Sequence, residues 1–191
     1  MNASLHSIPW RTARYTLSEG DLLLFRRRGL ISLAGRGVHS HAAKAARWGD
    51  DWFCLEVREF KGGRAVTLES QVRRNPGRID VYAAGEPSGR WPRYDRHEAV
   101  AYMRRLAGCE YGWWSVLGTA LLHLPVIRWF YRPSLDDLAK SSRPPFCSQA
   151  VAMAERLGGG VDPVPNLSDF FVEPADLARS PFYRYRFTLV P

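Results

Sequence analysis

The sequence predicts a single domain that combines short antiparallel strands with helices, and three observations lead to this prediction. The chain has 191 residues, of which 46% are hydrophobic, so it is long enough and apolar enough for one ordinary core. Segments 52–60 and 65–68 have the alternation typical of antiparallel strands and are joined by a glycine-containing turn. Segments 96–107 and 146–157 have apolar residues at helical spacing.

Further strands are predicted from apolar or alternating runs. DLLLFRR at 21–27 follows a Ser-Glu-Gly turn, IDVY at 79–82 extends the hairpin into a β-meander, and YRYRFTLV at 183–190 is a final strand. Residues 1–17 are expected to form an N-terminal arm and residues 18–191 a single domain.

The segment HAAKAARW at 41–48 is ambiguous. Alanine, lysine and arginine favour a helix. The short length of the segment, between Gly37 and the Gly-Asp-Asp turn at 49–51, also permits a strand. On the residues alone both interpretations stay open.

Cys147 is the candidate nucleophile. It stands at the start of a predicted helix, where unpaired N–H groups and the helix dipole favour a thiolate, which is the form that attacks. The alternative is a small buried apolar residue, which is how most free cysteines behave. Cys54 and Cys109 lack such a position and are interpreted as core cysteines. Three cysteines without a close pair predict no disulfide framework and a reducing compartment.

A thiol nucleophile needs a base, and the candidates are His39 and His41. They flank Ser40, and residues two positions apart on a strand face the same way. A catalytic role and a hydrogen-bonded structural role are both open.

Glu56 is the candidate for the group that orients the base. It lies on the predicted strand 52–60 among apolar neighbours, where a carboxylate needs a partner. An imidazole at a facing position of a paired strand would supply one, since facing positions are about 4.5–5.5 Å apart. The alternative is an outward-facing side chain on an edge strand, paired with Arg58.

The net charge of +8 favours an anionic partner, such as nucleic acid, anionic lipid or an acidic cell-wall polymer. The alternative is that the charge only keeps the protein soluble. No nucleic-acid-binding motif is present, so nucleic acid is not expected as a partner. The close cysteine pair typical of zinc sites is absent, and no glycine-rich segment follows the phosphate-loop pattern. The sequence therefore predicts no metal and no cofactor.

The longest apolar stretch, 113–131, is interrupted by His123, Pro125 and Arg128, so no transmembrane span is expected. It is interpreted as a buried helix and turn, or as a surface that contacts lipid or an acyl chain. The N-terminal segment has no signal-peptide pattern, which favours the cytoplasm, although a protein exported by another route would look the same.

Three segments together resemble a known family. They are GDLLLF at 20–25, SHAAKA at 40–45 and FCSQAVAMA at 146–154. Their order and spacing resemble the permuted branch of the NlpC-type papain-like superfamily, the YiiX-like proteins. In that branch a Gly-Asp strand is followed by a Ser-His strand, a hydrophobic-Glu strand and a late Cys-Ser helix. Leu55-Glu56 stands at the hydrophobic-Glu position, and GCEYG at 108–112 resembles the segment before the nucleophile helix.

The resemblance implies an α+β fold of the circularly permuted, papain-like NlpC type, with a small antiparallel sheet or partial barrel packed against helices. It also implies a strand at the His41 segment, Cys147 as the nucleophile, His41 as the base and Glu56 as the group that orients the base. Substrate contacts are expected from three side chains: Ser40, Tyr111 and Ser148.

The activity implied by the resemblance is that of a cysteine hydrolase or acyltransferase with a Cys-His-Glu triad. Its substrate would have an amide, ester or thioester bond, in a cell-wall peptide or a lipid-type molecule. The alternative is a module of the same fold that binds a lipid or peptide without turnover.

Overall fold

The structure is a computed structural model, and it describes residues 6–26, 37–58, 61–85, 90–109 and 145–191. The strands in these ranges are β1 (Ser7–Pro9), β2 (Leu22–Arg26), β3 (His39–Trp48), β4 (Asp51–Arg58), β5 (Gly62–Thr67), β6 (Ile79–Ala84) and β7 (Tyr183–Val190). The α-helices in these ranges are α1 (Trp10–Ala13), α2 (Leu68–Arg74), α3 (Arg96–Arg105), α4 (Cys147–Met153) and α5 (Pro174–Arg179). A π-helical turn at Ala154–Gly158 continues α4, and a 3-10 turn lies at Asp169–Phe171.

All seven of these strands belong to one open sheet with the order β1-β7-β6-β2-β3-β4-β5. Neighbouring strands are antiparallel except β1 and β7, which are parallel. The described residues thus form a mixed α+β fold, as the sequence predicts at that level.

The predicted meander is only partly correct. Strands β3, β4 and β5 are consecutive antiparallel neighbours, but β6 pairs with β2 and β7 instead of β5. The reason is α2, which follows β5 directly and was not predicted. Because Leu68 and Val72 of α2 are buried against the sheet, the chain crosses one face before it forms β6.

The described part of the predicted N-terminal arm belongs to the sheet. Strand β1 pairs with β7, and α1 buries Trp10 and Ala13. The indole N–H of Trp52 also donates to the carbonyl oxygen of Arg14 at 2.8 Å. The sequence of this segment has no pattern that predicts these contacts, because its partners lie far away along the chain.

Apolar cores lie on both faces of the sheet. On one face, α3, α4 and α5 bury Val100, Val151 and Leu177 against the strands. On the other face, α1 and α2 cover a second core that includes Trp10 and Leu68. Helix α4 packs against β3 and β4, and this contact positions the candidate nucleophile.

Strand β3 forms in spite of its alanine-rich sequence. It pairs on both sides, with β2 and with β4. Its alanines are buried alternately on the two faces, Ala42 and Ala46 on one and Ala43 and Ala45 on the other. Pairing and burial therefore override helix propensity here, and the small side chains allow α4 to approach the strand closely.

The two predicted long helices are confirmed with small shifts of their ends. Helix α3 corresponds to 96–107, and α4 with its π-helical turn corresponds to 146–157. The apolar stretch at 113–131 lies outside the described residues. Within the part of the chain that the structure describes, no helix has the length and apolar character that a membrane crossing requires.

Gly63 joins β5 to the segment that follows α3. Its N–H donates to the carbonyl oxygen of Cys109 at 2.8 Å, and its carbonyl oxygen accepts from the N–H of Gly108 at 2.7 Å. A Cβ atom at Gly63 would lie 1.8 Å from the carbonyl oxygen of Leu106. Any side chain at this position would therefore push residues 106–109 away from the sheet.

Gly63→Ala is expected to lower the free energy of unfolding by about 3 kcal/mol or more, at the upper end of the cost of overpacking. Gly49→Ala is the control, because a Cβ there meets no atom within 4 Å and only its φ of +58° disfavours alanine. That control is expected to cost about 1–2 kcal/mol. Urea denaturation measures both values, and equal losses would contradict the close approach at Gly63.

Candidate active site

Cys147 is the first residue of α4 and is 3% exposed. The preceding residue, Phe146, has an extended backbone, so the helix begins at the cysteine. The N–H of Phe146 donates to Oε1 of Gln149 at 3.4 Å, and its carbonyl oxygen accepts from the N–H of Ala150 at 2.8 Å. These bonds hold the first turn of the helix in place.

The surroundings of the Cys147 thiol favour its ionised form. Burial raises the pKa of this thiol, but the charge of His41 and a hydrogen bond with His41 lower it, and the net shift is downward. The backbone N–H groups of Ala42 and Ser148 also bond to the sulfur and favour the thiolate.

His41 connects the thiol to a carboxylate. Its Nε2 lies 2.6 Å from Oε2 of Glu56, which leaves Nδ1 as the ring nitrogen for Cys147. Burial lowers the pKa of His41, but the neighbouring Cys147 and Glu56 raise it to about 9. With a pKa of about 9, His41 favours the imidazolium at neutral pH, and its charge lowers the pKa of the Cys147 thiol.

A β-bulge gives His39 and His41 different partners, so the expectation that they face the same way is wrong. Phe25 of β2 faces His41, and the next residue, Arg26, faces His39, so β3 has one additional residue between these pairs. Nε2 of His39 lies 2.9 Å from Oδ2 of Asp80. The bulge thus directs one histidine to the thiol and the other to a separate carboxylate.

Glu56 is held by two cationic side chains. On β5 it faces Arg64, whose Nε donates to Oε1 at 2.8 Å and whose Nη2 donates to the same oxygen. His41 holds the other oxygen. An imidazole was expected at a facing position, but the regular pairs of β3 with β4 begin at Lys44 and Leu55, and it is Arg64 that faces Glu56.

The outward-facing interpretation of Glu56 is wrong. Its side chain has no exposed surface, and β4 is not an edge strand because β5 lies beside it. Arg58 is a more distant cation, 3.9 Å from Oε1. Burial raises the pKa of Glu56, but the hydrogen bonds and charges of His41 and Arg64 lower it to about 2, so the carboxylate stays ionised.

The thiol, the imidazole, the carboxylate and the guanidinium thus form a chain of alternating charge from Cys147 to Arg64. Each group favours the charged form of its neighbour. Chemically, the arrangement places a nucleophile beside a proton donor whose ring orientation is fixed.

The side chains expected to contact a substrate have different positions. Ser148 is fully buried, and its hydroxyl donates to the carbonyl oxygen of Val172 at 2.7 Å. Its hydroxyl thus anchors the helix, and a substrate contact of Ser148 stays a prediction. Ser40 is half-buried in the bulge beside His41. Tyr111 lies outside the described residues.

Sequence reasoning missed three charged residues at or near the site. Arg64 follows from the hairpin register, in which Arg58 faces Gly62 and, two residues further along each strand, Glu56 faces Arg64. Lys44 and Glu155 form an ion pair with no exposed surface. Two features of the sequence could have indicated this pair. Lys44 stands within a run of alanines, and Glu155 follows the apolar segment of α4.

The fold is similar to that of a solved structure. No protein-family model matches the chain, and no curated protein sequence matches it. The crystal structure of metalloprotein YiiX from Escherichia coli O157:H7 (DUF1105) aligns with a TM-score of 0.61 over 91% of this chain and 98% of that chain, at 13% sequence identity. At this identity the likeness concerns the fold alone, and the chain has a YiiX-like fold.

The charged groups of the site do not fit a metal ion. Among the residues that the structure describes, no group of three or more His, Cys, Asp and Glu side chains could hold one. Both carboxylate oxygens of Glu56 already accept hydrogen bonds, from His41 and from Arg64. A guanidinium and an imidazolium beside the carboxylate would repel a further cation.

Cys147→Ala is expected to lower the pKa of His41 from about 9 toward the ordinary value near 6.5, because the thiolate is the leading influence that raises it. NMR titration of the imidazole ring measures this pKa. Cys109→Ser is the control, since Cys109 is not among the groups that shift His41. An unchanged pKa in Cys147→Ala would contradict the ion pair.

The charge of Glu56 gives the fold a pH-dependent stability. Its pKa is about 2 in the fold against an ordinary value of 4.5, so the ionised side chain stabilises the fold above pH 4.5. This contribution, about 3 kcal/mol, is lost as the pH falls toward 2. Glu56→Gln has no carboxylate to protonate, so its stability is expected not to show this decrease. In urea denaturation, the free energies of unfolding of the wild-type protein and of Glu56→Gln are therefore expected to converge as the pH falls from 4.5 toward 2. A constant difference would contradict the low pKa.

Proposed function

We propose that the protein is a cysteine hydrolase or acyltransferase that cleaves an amide, ester or thioester bond with Cys147, His41 and Glu56. The observation that carries the proposal is the hydrogen-bonded contact between the Cys147 thiol and His41, which shifts their two pKa values in opposite directions. A buried carboxylate 2.6 Å behind the imidazole supports the same function. Perturbed titrating groups that converge in this way are typical of catalytic sites.

In the first half of the proposed reaction, the Cys147 thiolate attacks the carbonyl carbon and forms a C–S bond. The carbonyl oxygen becomes an oxyanion, which backbone N–H groups near Cys147 stabilise. The tetrahedral intermediate then collapses, the bond to the leaving amine, alcohol or thiol breaks, and the His41 imidazolium donates its proton to that group. A thioester remains on Cys147.

In the second half, water or another acceptor attacks the thioester carbonyl. Neutral His41 accepts the proton of the attacking group, the C–S bond breaks, and the thiolate and the imidazolium are restored. Glu56 keeps the ring oriented throughout, and Arg64 keeps Glu56 ionised.

We further propose that the site is of the circularly permuted, NlpC-type papain-like kind. The order of the elements supports this assignment, since the base on β3 and the carboxylate on β4 come before the helix that begins with the nucleophile. The likeness to YiiX supports it at the level of architecture.

The substrate proposed is a cell-wall peptide or a lipid-type acyl compound. The net charge of +8 supports an anionic substrate or surface, and the apolar sequence at 113–131 supports an acyl group. The reaction needs a reduced thiol, which fits a location in the cytoplasm.

Thiol labelling tests this chemistry without knowledge of the substrate. At pH 6, iodoacetamide is expected to modify Cys147 faster than Cys54 or Cys109, because burial raises the pKa of both other thiols. His41→Ala is expected to slow the labelling of Cys147 at this pH, because the charge and the hydrogen bond that lower the pKa of the thiol are lost. Site-resolved mass spectrometry measures the three rates. Equal, slow labelling with and without His41 is the result that a binding module would give.

A hydrolysis assay completes the test. Cys147→Ala is expected to abolish the release of p-nitrophenol from acyl esters, or of product from peptidoglycan stem peptides, while the thermal midpoint stays unchanged. Cys109→Ser is the matched control and is expected to keep the activity. A fully active Cys147→Ala protein would end the proposal.

A further inference from the structure

A fully buried ion pair joins strand β3 to the π-helical turn that continues α4. Lys44 of β3 and Glu155 of the π-helical turn have no exposed surface, and Nζ of Lys44 donates to Oε1 of Glu155. On the neighbouring strands Lys44 faces Leu22 and Leu55. Two ionised groups in an apolar core are costly, and a hydrophobic pair of similar volume often stabilises a fold as well or better. Stability alone is therefore a weak reason for this pair.

Two tyrosines complete the surroundings of Glu155. The hydroxyl of Tyr183 donates to Oε1 at 2.8 Å, and the hydroxyl of Tyr94 donates to Oε2 at 2.8 Å. Burial and the negative charge of Glu155 raise the pKa of both phenols, so both stay donors. The cluster thus gives each carboxylate oxygen a donor and fixes the direction of the Glu155 side chain.

The ion pair is the second of two polar attachments between the same strand and the same helical segment. The first joins His41 to Cys147, and the second joins Lys44 to Glu155. Helix α4 packs on β3. The two attachments therefore hold the helical segment to this strand at its first residue and again eight residues later.

We propose that Lys44 and Glu155 are positioning residues that set the nucleophile helix on β3 and thereby hold Cys147 against His41. This inference rests on the proposed function. Apolar packing is non-directional and tolerates small sliding or rotation of a helix, whereas a hydrogen-bonded ion pair has a narrow geometry. Even a displacement of about 1 Å between reacting groups can cost a large part of a rate.

The double variant Lys44→Met/Glu155→Gln tests the positioning role. It removes both charges together, so no unpaired charge is left in the core. The glutamine amide can accept from one tyrosine hydroxyl through its oxygen and donate to the hydroxyl oxygen of the other tyrosine through its NH2 group. The fold is expected to persist with a thermal midpoint at or above that of the wild-type protein. The pH midpoint of Cys147 alkylation is expected to rise by about one unit, with an alkylation rate at pH 6 that is about tenfold lower.

Arg156→Gln/Asp169→Asn is the matched control. It removes a neighbouring ion pair of the same helical segment, in which Nε of Arg156 donates to Oδ2 of Asp169 at 2.9 Å. That pair joins the segment to the 3-10 turn and not to β3, so the wild-type pH profile of alkylation is expected. Glu155→Asp keeps the charge but shortens the side chain, and a smaller upward shift of the midpoint is expected.

The outcomes separate this proposal from the proposed function. If Cys147 of the wild-type protein shows no preferential alkylation at low pH, both fail. If wild-type Cys147 is reactive and the folded double variant keeps the wild-type profile, the positioning role alone fails. If the double variant does not fold, an unchanged profile in Glu155→Asp overturns the positioning role.

Discussion

The contact between the first turn of α4 and strand β3 is the constraint on which the rest of the site depends. Burial raises the pKa of the Cys147 thiol and lowers the pKa of the His41 imidazole. Each group by itself would therefore favour its neutral form. Their contact is the leading influence that reverses both shifts. Tertiary structure alone brings a helix from late in the chain to a strand from its first quarter.

The sheet and the helix α4 contribute different groups to this contact. The sheet supplies the imidazole on β3, the carboxylate on β4 and the guanidinium of Arg64 on β5, which are linked by side-chain hydrogen bonds. The helix supplies the thiol, and the hydroxyl of Ser148 anchors it to the carbonyl oxygen of Val172. Alanines on β3 let the helix lie close to the strand, and the Lys44–Glu155 pair ties the far end of the segment to the same strand.

The motif around Gly20 and Asp21 has a structural part in this arrangement. Asp21 is fully buried and accepts from the N–H of Ser18 at 3.0 Å and from Arg186 at 2.7 Å. The same carboxylate lies 3.4 Å from Arg96. Asp21 thus connects the start of β2 to β7 and to α3. These contacts attach α3 to the same face of the sheet on which α4 packs.

Local patterns predicted strands β2, β4, β5, β6 and β7 and the two long helices, because alternation and helical spacing are properties of short segments. They also indicated the helix-start position of Cys147 and the need of Glu56 for a partner. Strands β1 and β3 were not determined in this way. Other features depended on contacts between distant segments. The bulge in β3 directs His41, and not His39, toward Cys147. The register of β4 and β5 places Arg64 opposite Glu56. The packing of the helical segment on β3 pairs Lys44 with Glu155. Tertiary structure alone decided them, because a shift of one residue in register changes every facing partner while the sequence pattern stays the same.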